Sequence, residues 1–200
     1  MAAPIDFYFD FSSPPGYFAS LKIDELAARH QRRVNWRPIL LGAVFKVTGQ
    51  APLPGIPLKG AYVQRDWVRF GRLFGVNFKL PTPFPFLSVA ASRAFYWLNG
   101  RDAELARNFA RAVYHAAFAE ARDTVPPEAI AAIAETLGVA RGDTLAALND
   151  SAVKDKLREE VDAAIARGVF GSPYVIVDGE PFWGADRLDQ VDRWLATGGW

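Results

Sequence analysis

Every second residue from Ile5 to Phe11 is large and apolar, and Tyr8 adds apolar surface to the opposite face. A period of two with apolar residues on both faces is typical of a buried strand near the centre of a sheet. Two serines and two prolines at residues 12–15 interrupt this pattern. Proline cannot donate to a β-ladder, but it suits the first turn of a helix. The pattern therefore predicts a central strand that runs directly into a helix.

The helix predicted from Gly16 places Ser12 and Ser13 at a strand-to-helix junction. Apolar residues recur at roughly helical spacing over residues 17–27. Free N–H groups and the positive end of the helix dipole converge at such a junction, and they attract anions, a thiolate among them. The alternative is that one of the two serines only caps the helix, because serine is a common N-cap residue.

Further strand patterns lie close to both ends of the chain. Val34–Leu41 predicts a second strand, which would complete a right-handed βαβ unit with parallel strands. Tyr174–Val177 and Pro181–Trp183 flank a short turn and predict a β-hairpin. Arg187–Leu195 predicts a final amphipathic helix. These elements together predict an α/β fold with a thioredoxin-like sheet of four strands, in which strands one and three are adjacent at the centre.

Between the two strand regions the chain is predicted to be helical. Gly49–Pro57 and Lys79–Phe86 are rich in proline and are predicted to be loops. Helices are predicted at Leu58–Phe74, Ser88–Asn99, Ala103–Glu120, Pro127–Leu137, Thr144–Leu148 and Ser151–Arg167. We therefore expect a discontinuous sheet domain over residues 1–42 and 168–200, with a helical insertion domain over residues 43–167.

The composition limits the chemistry that the chain itself supplies. Among the 200 residues there is no cysteine and there are two histidines, which excludes thiol catalysis by the protein and argues against a metal site. The formal charge of +1 gives no electrostatic case for nucleic acid or a membrane surface. No apolar run reaches bilayer length, and Met1–Pro4 lacks the basic segment of a signal peptide, so we expect a cytoplasmic protein.

Ser172 and Pro173 precede the third predicted strand and are a candidate cis peptide. A cis bond would turn the Ser172 backbone towards Ser13, where exposed backbone groups can hold an extended peptide ligand. The alternative is a trans proline that simply starts a strand.

Charged residues offer further candidates. Asp186, next to Ala185, either caps the final helix or pairs with a ligand ammonium. Lys59 either neutralises a ligand carboxylate or is a solvated surface charge. Asp66 and Arg69, three residues apart on one predicted helix, favour an internal ion pair.

Three motifs carry a resemblance to a known family. FYFDFSSPPGY resembles the F-D-x-x-S-P-x-S-Y opening of 2-hydroxychromene-2-carboxylate isomerases and the related kappa-class glutathione transferases. GVFGSPYVIVDGEPFWGADRL is similar to that family's G-V-F-G-V-P-T closing segment with its W-G-x-D-R-L ending. Lys59, Tyr62, Asp66 and Arg69 keep its K-x-x-Y-x-x-x-D-x-x-R spacing. The chain is identified as a member of this family over essentially its whole length.

The resemblance implies a DsbA-like thioredoxin fold that binds reduced glutathione, usually as a homodimer. It implies that Ser13 hydrogen-bonds the glutathione sulfur. Ser172, before the family's cis proline at Pro173, would pair with the cysteinyl backbone of glutathione.

The same resemblance assigns the two ends of glutathione. Ala185 and Asp186 would hold the γ-glutamyl end, and Lys59 would hold the glycyl carboxylate. Gln50 stands near an asparagine contact of the transferases, which is a weaker match.

The function that the resemblance implies is a glutathione-dependent isomerase. Its substrate would be an aromatic hydroxychromene carboxylate or a related conjugated acid, and its steps would be reversible thiolate addition, bond rotation and elimination. A kappa-like transferase that releases a conjugate, and a non-catalytic glutathione-binding domain, are the alternatives. Pro15, Gly16 and Leu87 depart from the family pattern and are expected to line the pocket of the second substrate, and Ser172 stands where the isomerases more often have valine.

Overall fold

The computed structural model describes residues 3–200, so the first two residues of the segment Met1–Pro4 lie outside it. One sheet contains the four strands β1 (Ile5–Phe9), β2 (Val34–Pro38), β3 (Tyr174–Val177) and β4 (Glu180–Trp183). The strand order is β2-β1-β3-β4. β1 pairs with β2 in parallel and with β3 in antiparallel orientation, and β3 pairs with β4 in antiparallel orientation. The predicted thioredoxin-like sheet with adjacent central strands one and three is confirmed.

Helices flank this sheet and fill the middle of the chain. They are α1 (Pro14–Ser20), α2 (Ile23–Arg29), α3 (Leu41–Thr48), α4 (Lys59–Leu73), α5 (Val89–Asn99), α6 (Ala103–Phe118), α7 (Pro127–Glu135), α8 (Arg141–Asn149), α9 (Ser151–Ala166) and α10 (Leu188–Thr197). Short 3-10 helices lie at Leu53–Gly55 and Ala185–Arg187. None of the helices within residues 3–200 is long and apolar enough to cross a membrane.

β1 forms the centre of the main core, as its alternation predicts. Phe7 and Phe9 are fully buried, and their rings stack with centroids 5.2 Å apart. Phe9 also makes edge contacts with Trp36 of β2 and Phe95 of α5. One continuous core therefore joins the sheet to the helices of the middle region.

The opposite face of β1 carries a partly buried ion network. The Asp6 carboxylate accepts hydrogen bonds from Arg37 Nε at 2.9 Å, Asn35 Nδ2 at 3.1 Å and Arg167 Nη1 at 2.8 Å. Burial alone would raise the pKa of Asp6, but these donors outweigh it and hold the pKa below its ordinary value. Asp6 therefore ties β1, β2 and the end of α9 together.

The main departure from the sequence prediction is helix α3. The second strand ends at Pro38 rather than Leu41, and residues 41–48 are helical. The N–H of Leu41 is held by the carboxylate of Asp10, 31 positions earlier, and Gly49 ends the helix with a φ of 70°. The predicted domain boundary between residues 42 and 43 falls inside α3, and the division into two domains stays a prediction.

Candidate functional site

A cleft of about 970 Å³ opens at the carboxyl end of β1. Its walls come from α1, α3, α4, the two proline-rich loops and the loop before β3. Most of the lining is apolar, with aromatic rings at Phe45, Trp67, Phe84, Phe86 and Trp183. The charged side chains among the described lining residues are Asp10, Lys46 and Lys59. The cleft therefore combines aromatic walls with two cations and one carboxylate.

Four predicted site residues line this cleft together, although they come from distant parts of the chain. They are Ser13, Gln50, Lys59 and Ser172. Pro173 follows Ser172 directly. Ala185 and Asp186 lie outside the lining, in a 3-10 helix that packs against α1.

Ser13 is buried and caps α1. Its Oγ accepts a hydrogen bond from the Gly16 N–H at 3.1 Å and donates one to the Ser172 carbonyl at 3.0 Å. Residues Pro14 and Pro15 have no N–H groups, and the Gly16 N–H is already bound. The expectation that free N–H groups converge at this junction is therefore wrong. Any attraction for an anion here rests on the Ser13 hydroxyl and on the lysines of the cleft.

The Ser172–Pro173 peptide bond is cis, which confirms the prediction. The Ser172 carbonyl faces the junction, where it accepts from Ser13. The Ser172 Oγ accepts a hydrogen bond from the Asp10 N–H at 2.9 Å, and the Pro173 carbonyl accepts one from Gly184 N–H at 3.1 Å. The cis segment is thus anchored on both sides.

Asp10 is the cleft residue that the sequence reasoning missed. Its side chain is buried, and Oδ1 accepts from the Ser12 N–H at 2.8 Å, the Ser12 hydroxyl at 2.8 Å and the Ser88 hydroxyl at 2.7 Å. Oδ2 accepts from the Leu41 N–H at 2.7 Å. Asp10 thereby holds together the junction, the start of α3 and the segment that leads into α5. The F-D pair of the opening motif was the available signal for it.

Gly16 is required by close packing beneath the junction. A Cβ at this position would lie 2.5 Å from the Tyr114 hydroxyl oxygen and 2.9 Å from Ser172 Oγ. The Tyr114 hydroxyl donates to the Asp10 carbonyl at 2.9 Å, and burial raises the pKa of Tyr114 well above its ordinary value. The prediction that Gly16 lines the second-substrate pocket is wrong, whereas Pro15 and Leu87 do line the cleft.

Lys59 begins α4 directly after an unusual turn. Leu58 has φ 67° and ψ −48°, and the Lys59 N–H donates to the Pro57 carbonyl at 2.8 Å. This is a γ-turn with positive φ, which is rare and strained for a residue other than glycine. Neither Lys59 nor Lys46 of α3 forms an ion pair with residues 3–200. Both ammonium groups are therefore available to an anionic ligand.

Asp186 does not cap the final helix. α10 begins at Leu188, and no side chain in the described part of the chain caps it. The Asp186 carboxylate instead accepts from Arg187 Nη1 at 2.9 Å and is half exposed.

The predicted ion pair of Asp66 and Arg69 is confirmed, and Arg69 also donates to the Tyr62 hydroxyl.

The sheet order, the inserted helices and the cleft at the end of β1 define a thioredoxin-like protein. A family model described as a DSBA-like thioredoxin domain matches residues 4–196. The chain belongs to this family, and within it to the group of 2-hydroxychromene-2-carboxylate isomerases and kappa-class glutathione transferases.

Relatives and a solved structure agree over nearly the whole chain. Glutathione S-transferase kappa 2 of Caenorhabditis elegans is 30% identical, covering 96% of this chain and 91% of its own. The 2-hydroxychromene-2-carboxylate isomerase of Pseudomonas putida is 30% identical over 94% of this chain and 92% of its own length. A solved 2-hydroxychromene-2-carboxylate isomerase superposes with a TM-score of 0.87 at 28% identity, covering 96% of this chain and 94% of that one.

Proposed function

We propose that this protein is a glutathione-dependent isomerase of an aromatic hydroxychromene carboxylate or a related conjugated acid. The observation that carries the proposal is the cleft, which combines Ser13, two lysines and aromatic walls in a chain without cysteine. A sulfur nucleophile must then arrive with a ligand. The similarity to named isomerases at 28–30% identity supports the same reaction class.

The residues present fit glutathione. Free glutathione has two carboxylates, one ammonium and one thiol, and the volume of the cleft suits a ligand of that size. Lys59 would hold the glycyl carboxylate, with Gln50 beside it. Asp186 and the Ala185 backbone would hold the γ-glutamyl end, although they lie beyond the lining of the cleft. When bound, glutathione supplies a thiolate that adds reversibly to a conjugated carbon of the substrate.

The chain itself positions these groups and controls the proton of the thiol. Ser13 would donate to the sulfur, which requires its hydroxyl to turn away from the Ser172 carbonyl. Such a hydrogen bond favours the charged form of a thiol and lowers its pKa. The aromatic side chains Trp67, Phe84 and Phe86 would hold the flat substrate and exclude water from it.

The isomerase reaction is tested by product analysis. We expect the purified protein to equilibrate 2-hydroxychromene-2-carboxylate with its open-chain isomer only when glutathione is present, and to leave the glutathione unconsumed. Chromatography with mass detection measures both quantities. No turnover with glutathione present would contradict the proposal.

A kappa-like transferase is the second candidate, and the 30% identity to the Caenorhabditis elegans enzyme favours it. It predicts a product that retains glutathione, with one glutathione consumed for each product molecule. An electrophile panel with the same mass detection separates it from the isomerase. Binding of glutathione without turnover on either substrate class would favour a non-catalytic domain.

We also propose that the protein is a cytoplasmic homodimer. Leu58 and Leu73 lie at the two ends of α4 and expose 93% and 78% of their surface, which is the kind of apolar surface that a second copy would cover. The cytoplasm supplies reduced glutathione. Light scattering after size exclusion measures the mass, and a monomer of 22.1 kDa at micromolar concentration would contradict the dimer.

A further inference from the structure

A second, smaller cavity lies on the other side of β2 from β1. Its volume is about 240 Å³, below the range of typical drug-sized pockets. It is bounded by β2, the end of α5, the start of α6, and α9. The described lining residues are separate from those of the cleft, so the proposed isomerase reaction does not use this cavity.

The backbone of β2 points polar groups into this cavity. The Ile5 N–H donates to the Arg33 carbonyl and the Ile39 N–H donates to the Phe9 carbonyl, so the odd-numbered residues of β2 face β1. The N–H and C=O groups of the even-numbered residues then point outward, because the two groups of one strand residue lie on the same side. The Pro38 carbonyl follows this rule, since it accepts from the Tyr96 hydroxyl of α5 at 2.8 Å.

Trp36 is the even-numbered residue at the middle of this edge. Its N–H points outward by the same rule, and it has no hydrogen-bond partner within residues 3–200. Proline at position 38 has no N–H to offer. The Trp36 amide is therefore a hydrogen-bond donor in the wall of the cavity that lacks a partner from the protein.

The side chains around the cavity carry an excess of positive charge. Arg37, Arg107 and Lys156 line it together with one carboxylate, that of Glu160, and Arg37 also pairs with Asp6 behind the lining. The Glu160 carboxylate pairs with two of these cations, since Arg37 Nη1 lies 3.2 Å and Lys156 Nζ 2.8 Å from its oxygens. Arg107 is half-buried and forms no ion pair or hydrogen bond with the described chain. Arg107 lines the cavity, and the planar fork of donors on its guanidinium has no partner within residues 3–200.

We propose that this cavity binds the phosphate or carboxylate group of a small metabolite. The Arg107 guanidinium would bind two oxygens of the anion, as this side chain does with carboxylates and phosphates. The Trp36 N–H would donate to the same group from the strand edge, and Lys156 would add charge. The volume of about 240 Å³ favours a ligand with only a few heavy atoms beyond the anionic group itself.

Titration of the ¹⁵N-labelled protein with inorganic phosphate, and separately with acetate, at constant ionic strength tests this site. We expect saturable shifts of the Trp36 backbone amide with a Kd of about 1 mM or tighter for at least one of the two anions. Shifts of the Ser13 and Gln50 amides report anion binding in the cleft and are fitted separately, so they do not count for or against the second cavity. The better ligand of the two tells whether phosphate or carboxylate chemistry is recognised.

Arg107→Gln should weaken the binding of the better anion about tenfold, the effect of losing one charge-assisted contact. Arg158→Gln is the matched control. It also removes one positive charge, but from α9 rather than α6, and Arg158 pairs with Asp155 outside the lining of the cavity. Arg107→Lys keeps the charge without the fork and should give an intermediate affinity.

Equal weakening in Arg107→Gln and Arg158→Gln would overturn the site, because it would mean that only diffuse charge attracts the anion. Absence of saturation for both anions would also overturn it. Glutathione binding by Arg107→Gln is measured in parallel and should stay unchanged. Failure of the anion site and failure of the proposed isomerase function are therefore distinguishable.

Discussion

Asp10→Asn should lower the free energy of unfolding by about 2–4 kcal/mol. With the amide nitrogen in place of Oδ2, the Leu41 N–H loses a charge-assisted partner and faces another donor, which costs about 1.5–3 kcal/mol. The three hydrogen bonds at Oδ1, from Ser12 and Ser88, become neutral and weaken. Removing a buried charge offsets part of this loss, because desolvation of the carboxylate is no longer required.

Urea denaturation of both proteins measures this difference, provided that the slope of the unfolding curve is unchanged. Asp102→Asn is the matched control. Asp102 is an exposed N-cap that accepts from the N–H groups of Glu104 and Leu105, and asparagine is an equally good cap. The control should change stability by less than about 0.5 kcal/mol. A similarly small loss for Asp10→Asn would refute the view that its carboxylate holds the cleft together.

Three further outcomes follow from the contacts. Gly16→Ala should destabilise the protein by about 1–3 kcal/mol. The loss should be smaller in a Tyr114→Phe background, where the oxygen nearest to the new Cβ is absent, and additive losses in a double-mutant cycle would contradict the clash. The low pKa of Asp6 stabilises the fold above about pH 4, and this contribution disappears as pH falls through the folded-state pKa. The stability of Asp6→Asn should therefore fall less steeply with acid, and a pH profile of stability identical to that of the parent protein would contradict the role of Asp6. Asp186→Asn should weaken glutathione binding by about 1–3 kcal/mol, with little change in melting temperature because Asp186 caps no helix. Equal affinities of the two proteins in titration calorimetry would refute the role of Asp186 in binding glutathione.

The central strand was predictable because its signal is local. Alternation within Ile5–Phe11 requires only that the chain be extended, and both faces of β1 are buried. Helix α3 was not predictable in the same way, because its first N–H is held by Asp10 from a distant segment. The apolar run at the end of Val34–Leu41 suggested a longer strand, but β2 ends at Pro38 and the last residue of that run begins α3.

The site divides along the same line. Ser13, Ser172, Lys59 and Gln50 were named from motifs, and the fold brings them to one cleft. Asp10 was missed because its importance lies in its partners, which are donors spread from residue 12 to residue 88. The loss of free N–H groups at the junction was readable from the two prolines, since proline has none.

The central claim concerns the Ser13 hydroxyl and a bound thiol. Thiolate absorbance of glutathione bound to the protein, followed against pH, tests it most directly, with Ser12→Ala as the matched control in the same cleft. Ser13→Ala also removes the α1 cap, so a stability loss of about 0.5–2 kcal/mol is expected and a melt must show that the variant remains folded. We predict that the bound thiol titrates below its free value in the parent protein and in Ser12→Ala, and at higher pH in Ser13→Ala. Titration at the same pH in the parent and in folded Ser13→Ala would contradict the account.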